Sequence, residues 1–136
     1  MPELRHADFE RLLAFRTRLR TFQRWSEDQA RAVGLTHVQH QLLVAIKGHP
    51  GDLPPTIGDL SGYLLQRHHS TVELVDRAAA AGLVRRVADA TDGRVVRVEL
   101  TELGNRLLTE LTPAHLDELQ QLAEALNALL RGTGTS

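Results

Sequence analysis

The chain contains no cysteine. This excludes a disulfide scaffold, a cysteine nucleophile, thiolate metal ligands and thiol-based redox sensing. Lysine is almost absent too: Lys47 is the one exception among sixteen basic residues. No apolar run approaches the roughly 18 residues that a membrane helix needs. The first residues, MPELRHADFERLLAF, lack the apolar core of a signal peptide, so a cytoplasmic protein is expected. The formal net charge is −1, so no global excess points to a polyanionic partner.

A small total hides an uneven distribution. Residues 1–35 carry seven Arg against five acids, and residues 67–106 carry seven Arg against six. Residues 107–136 carry one Arg against four acids. Hydrophobic residues make up 42% of 136, enough for one modest core.

Periodicity then organises the chain. Residues 7–33 predict a long helix, with Phe9, Leu12, Leu13, Leu19 and Phe22 at three- and four-residue spacing and Gly34 ending it. Arg16, Arg20 and Arg24 form a basic line along it. Its apolar stripe is too long for a small domain, so a partner helix is expected. Thr36 and Gln39 make a capping box that opens a second helix, running through Leu42, Leu43 and Ile46 to Gly48. HPGDLPPT reads as a loop. Thr56 with Asp59 starts a short third helix that buries Ile57, Leu60 and Leu64. A fourth covers 67–81, with Thr71, Leu74, Val75 and Ala78 on the core side. Gln66, His69, Glu73, Asp76 and Ala80 lie opposite, and Gly82 terminates the helix.

Two helices joined by a short turn, the second presenting polar groups at its start, form a helix-turn-helix arrangement. LVRRVAD and VVRVEL follow as an antiparallel ribbon around ATDG, whose glycine is free to take a positive φ. In VVRVEL, Val96, Val98 and Leu100 share one face, and Arg97 and Glu99 the other. Thr101 caps a helix over TELGNRLLTEL, and Thr112-Pro113 predicts a second start for a last helix. That last helix carries a seam of Leu116, Leu119, Leu122 or Ala123, Leu126, and Leu129 or Leu130, and RGTGTS reads as a frayed tail. The expected class is mainly α with a small β-ribbon (α+β).

Over nearly its whole length the chain resembles the MarR family of bacterial transcriptional regulators. The match runs through STVELVDRAAAAGLVRR, VADATDGR and VVRVELTELG, with Asp89, Asp92, Arg94, Leu100, Thr101 and Gly104 at the family's spacing. The resemblance implies a winged helix-turn-helix homodimer on a pseudo-palindromic operator. It implies an N-terminal dimerisation helix over 1–35, a DNA-binding domain over 36–100 and C-terminal dimerisation helices over 101–136. In that family the wing aspartate orients the wing arginine toward DNA; here these are Asp92 and Arg94. The chain departs from the pattern at Arg67, where a serine N-cap is usual, at His68 and His69, at Glu73, and at Gly93, where arginine is common.

The candidate DNA contacts are therefore Gln66, Arg67, His68, His69, Ser70, Thr71, Glu73, Arg77, Arg86, Asp92, Gly93 and Arg94. Glutamine can read adenine, glutamate can accept from cytosine N4, and a helix N-terminus attracts phosphate. Arg85 and Arg86 alternate along a strand, so one of them at most is expected to face DNA. Relatives in the family bind small aromatic acids, which makes Trp25, His37, His40 and Arg20 candidates for an effector site. His37 and His40 stand i, i+3, but two histidines do not fill a tetrahedral site and no cysteine assists, so no metal or cofactor is expected. No nucleophile–base pair stands out, so no enzyme is expected. The expected partners are double-stranded DNA, a second copy of the chain and a small effector. The expected role is a repressor; the competing reading is a winged-helix dimer that serves as a protein-interaction scaffold.

Overall fold

The computed structural model describes residues 3–131. The elements run α1 (His6–Ala32), α2 (His37–Gly48), α3 (Ile57–Leu64), α4 (His68–Ala80), β1 (Val84–Ala88), β2 (Val96–Leu100) and α5 (Glu102–Arg131). Of the tail read as frayed, 132–136 lie outside the described residues.

Local chemistry sets most boundaries. Thr36 and Gln39 exchange both bonds of a capping box at α2, and Thr56 and Asp59 do the same at α3. Each such cap stabilises its helix by about 1 kcal/mol. Helix α4 is terminated two residues past Ala80 by Gly82, which takes φ +77° and so lets Leu83 N–H reach back to the Ala78 carbonyl. Thr101 caps α5 by accepting from Gly104 N–H, while its own hydroxyl donates to the Gly82 carbonyl.

The described residues fall into two compact units. One comprises those up to Gln29 and from Thr112 onward, the other Ala30–Leu111. In the second unit Leu42, Leu43, Leu60, Val75 and Val98 are completely enclosed, with Ile57, Leu74, Ala78, Leu83, Val84, Leu108 and Leu111 around them. In the first unit, Ser26, His115 and Leu122 are buried. Ser26 Oγ lies 2.7 Å from His115 Nε2, and the Trp25 ring lies tilted against His115 at a 4.7 Å centroid distance. Phe9, Leu12 and Leu13 of α1 and Leu116, Leu119 and Leu130 of α5 are instead exposed, at 45–65%.

β1 and β2 pair antiparallel with Val84 opposite Leu100 and Ala88 opposite Val96. The far edge of β2 is also occupied. Val98 N–H donates to the Pro55 carbonyl at 2.9 Å, and Thr56 bridges Arg97. The proline-rich loop is thus a third, minimal strand as well as a connector. Proline tolerates this edge because only its carbonyl is used.

The structure corrects two further expectations. Helix α5 is continuous through Pro113, where the sequence predicted a break and a new N-cap at Thr112. Pro113 removes one intrahelical bond at a cost of about 3 kcal/mol. Burial of Leu108 and Leu111 before it, and of His115 and Leu122 after it, holds the helix together across that defect. Gly93 does not take a positive φ; among the described residues Gly34, Gly51 and Gly82 are the glycines that do.

Gly104 is required for a different reason. A Cβ there falls on the Leu83 carbonyl group, which is backbone and cannot move aside. Gly104→Ala is therefore expected to lower stability by about 1–3 kcal/mol, the usual range for overpacking. Gly58→Ala, whose Cβ meets nothing closer than Thr56 Oγ1 at 3.7 Å, is expected to be neutral or stabilising. Urea denaturation of both variants checks the contrast.

Candidate nucleic-acid interface

The turn between α3 and α4 is three residues long. Leu65 stands in the left-handed region at φ 53°, which lets Gln66 N–H donate to the Ser61 carbonyl. Ser61 Oγ then donates to Thr71 Oγ1 at 2.9 Å, and Thr71 Oγ1 donates to the Arg67 carbonyl. These bonds fix α4 against α3. They also settle Thr71, one of the sequence's candidate DNA contacts. It is fully buried, with its hydroxyl bound inside the fold, so it positions α4 and cannot touch a duplex.

The remaining candidates on α4 divide by exposure. Arg67, His68, His69, Glu73 and Arg77 are exposed, and Ser70 is half-buried. Arg67 sits at the N-cap and makes no side-chain capping bond, so the first-turn N–H groups of α4 have no side-chain acceptor there. Gln66, Ser70, Glu73 and Arg77 line one cleft of about 390 Å³ with Thr36 and Gln39. Gln66 Oε1 is buried and has no partner among the described residues. An unmet buried acceptor costs about 1–3 kcal/mol.

Beyond α4 the arginines of the ribbon have separate fates. Arg85 pairs with Glu99 across the strands at 2.6 Å, and Arg86 pairs with Asp76 of α4 at 2.6 Å. Arg86, a candidate contact, thus has its charge balanced within the fold. Arg97 was expected on a face opposite the core. It is 18% exposed, held by Asp89 Oδ1 at 2.6 Å and by the Pro54 carbonyl at 2.7 Å.

The wing loop is built on Asp89. One carboxylate oxygen accepts from Thr91 N–H, Thr91 Oγ1 and Asp92 N–H, while the other takes the Arg97 bond. These donors, the Arg97 guanidinium foremost, hold the Asp89 carboxyl far below the ordinary carboxylate range. Asp92 in turn accepts from Arg94 N–H at 3.0 Å and from its guanidinium Nε at 3.2 Å. Arg94 has a 92% exposed side chain, so the pair aims it outward without covering it. Gly93 lies at the tip, with open space around its Cα. The sequence showed Asp89 only as part of a spacing; its role as the centre of the loop went unread. The threonine and second aspartate that follow it were the available signal, since short polar side chains there favour local side-chain-to-backbone bonds.

The four effector candidates are distributed over both units. Arg20 and Trp25 belong to the first, with Trp25 against Phe22 and His115. His37 and His40 belong to the second. His40 is buried, and His37 Nδ1 is buried with no partner among the described residues.

Comparison with known proteins gives consistent matches. A family model described as MarR family matches residues 33–95. YsmB, an HTH-type transcriptional regulator of Bacillus subtilis (strain 168), is 37% identical over 75 residues. That alignment takes in 55% of this chain, and the chain spans about half the length of that relative. Among solved structures, AbsC, a MarR family regulator from Streptomyces coelicolor, superposes with a TM-score of 0.75 at 22% identity, over 93% of this chain and 84% of that one. An S. aureus MepR–DNA complex gives 0.70 at 20% identity, over 98% and 96%. A mutant E. coli MarR complexed with operator DNA gives 0.69 at 21%, over 93% of each. At such identities the structures establish a shared fold.

The wing supplies a pH prediction. Because Asp89 has its carboxyl pKa lowered by folding, its stabilisation is complete above the unfolded value of about 3.9 and drains away as pH falls below that. Asp89→Asn is expected to be less stable than the parent at pH 6. It should also lose less on acidification from pH 5 to pH 3. Denaturant midpoints at the three pH values test this, and equal acid losses in both proteins would refute it.

Proposed function

We propose that this chain, which matches a MarR family model over residues 33–95 and shares the fold of MarR family structures, is a sequence-specific regulator of transcription of that family that binds double-stranded DNA as a homodimer. One observation carries the reading. The exposed start of α4 and the outward Arg94 are both held in place by internal bonds that leave their outer groups open. A folded module gains little from keeping an arginine 92% exposed at a hairpin tip.

Helix α4 fits a major groove, with Gln66, His69, Ser70 and Glu73 toward base edges and the uncapped N-terminus toward phosphate. Arg94 reaches the adjacent backbone or minor groove, where a guanidinium is favoured by the negative potential. One such module is a weak binder. The exposed apolar stripes of α1 and α5 supply the remedy, since a second copy covers them and presents two modules to a pseudo-palindrome about one helical turn apart. The unit holding those stripes is thus the dimerisation element of the proposed regulator, which acts on DNA in the cytoplasm. The regulator acts as a repressor, released by a small aromatic or phenolic effector that favours a non-binding spacing of the two α4 helices. The buried, partnerless His37 Nδ1 is the feature of the effector candidates that supports this last step.

Binding to DNA from upstream of the chain's own gene, across several salt concentrations, tests the function. Preference over random DNA with a steep salt slope is expected. Absent affinity, or equal affinity for random DNA, refutes it and leaves the scaffold reading. Arg94→Ala is expected to weaken binding to all sequences alike and to reduce the salt slope by about one. Gln66→Ala or His69→Ala should change sequence preference instead, by about 1–3 kcal/mol at a single base pair. Leu13→Glu, on the exposed stripe of α1, is expected to convert the dimer to a monomer in sedimentation and to reduce operator affinity with it.

A further inference from the structure

We propose that Leu65 reads a thymine through the C5-methyl group that this base presents in the major groove, a specificity role that rests on the DNA-binding function proposed above. Leu65 lies in the turn between α3 and α4, directly before Gln66 and Arg67. Its backbone stands at φ 53° and ψ 43°. Among the described residues it is the one non-glycine residue with a positive φ. That conformation brings the Cβ of a leucine against the following carbonyl oxygen.

The turn needs this conformation but not this side chain. With Leu65 in the left-handed region, its own N–H reaches the Gly62 carbonyl and Gln66 N–H reaches the Ser61 carbonyl. Glycine or asparagine closes a helix in this way with less strain. The leucine side chain contributes almost no burial in return. It is 92% exposed, more than any other large hydrophobic residue among those described. Leu64, one position earlier, is half-buried and packs against the core. Backbone strain and forgone burial thus fall on one residue, and nothing in the fold offsets either.

The surroundings of Leu65 choose its partner. The residues that follow, Gln66, Arg67, His68 and His69, are polar or basic, and the last three are exposed. They suit a duplex better than the apolar groove of a protein. Among the base edges of the major groove the thymine methyl is the one apolar group. Against any other base, leucine covers a polar edge without bonding it, which costs free energy. Against thymine it buries the methyl group together with part of its own surface.

The full chain is first used to enrich duplexes from a randomised pool. Thymines of the enriched duplex are then replaced one at a time by deoxyuridine, which lacks only the methyl group. At one thymine of each half-site the replacement is expected to weaken binding about fourfold, the worth of one buried methyl group. Leu65→Gly and Leu65→Asn both fit the left-handed turn. Each should bind the thymine duplex about fourfold or more weakly than the parent and bind both duplexes alike, to within about twofold. Their urea midpoints should equal or exceed that of the parent. Arg94→Ala should weaken binding to both duplexes and keep the parent's ratio between them. A pool that yields no enriched sequence overturns the DNA-binding function and the role of Leu65 with it. Given an enriched sequence, the role of Leu65 alone is overturned if no thymine is sensitive, if both variants keep the parent's discrimination, or if their urea midpoints fall.

Discussion

The guanidinium of Arg97 is the joint on which the Ala30–Leu111 unit depends. It bonds Asp89 at 2.6 Å on one side and the Pro54 carbonyl at 2.7 Å on the other. Asp89 organises the wing loop through Thr91 and Asp92. Pro54 belongs to the segment that ends in the Thr56 cap of α3. One side chain thus connects a ribbon tip to the entrance of the helix-turn-helix. A two-stranded ribbon is marginal on its own, and this bridge together with the Pro55–Val98 bond makes it part of a larger body. Charge-assisted bonds of this kind are strong because Arg97 is largely shielded from water.

The same economy governs α4. Its inner side is Thr71, Leu74, Val75 and Ala78, all buried. Thr71 is the polar exception, and it is satisfied by Ser61 and by the Arg67 carbonyl. At its start, by contrast, Arg67 forms no side-chain cap, and the buried Gln66 Oε1 has no partner among the described residues. Folding alone gives no reason for that asymmetry, because capping and pairing those groups would raise stability. In the proposed regulator these groups meet the duplex, since polar groups at a helix start suit phosphate and base edges.

Exposed leucines on α1 and α5 make the corresponding point for the other unit. Leu12, Leu13, Leu116 and Leu130 remain more than half exposed in a single chain. Contiguous apolar stripes of this kind mark interaction sites in soluble proteins. In the proposed regulator that partner is a second copy, and the affinity of a slightly basic module then rests on being presented twice.

Much of this was legible along the chain. The capping boxes at Thr36 and Thr56, the terminator Gly82 and the buried stripe of α4 depend on neighbours within four residues, and local spacing determined them. The resemblance carried by Asp92, Arg94, Thr101 and Gly104 identified the fold and the wing. Contacts between distant residues were not legible. The Arg97–Pro54 bond joins positions 43 apart, and the Pro55–Val98 bond is equally remote. Pro113 read as a break because its local cost is real; packing on both sides outweighs it only in the assembled helix. Thr71 was read both as core and as a contact, and burial chose the core. What the sequence by itself determined are the elements, whose signals are short-range. Which polar groups are spent inside the fold and which stay open was decided by the tertiary structure, because a hydrogen bond or ion pair is settled by distance in space and not by separation along the chain.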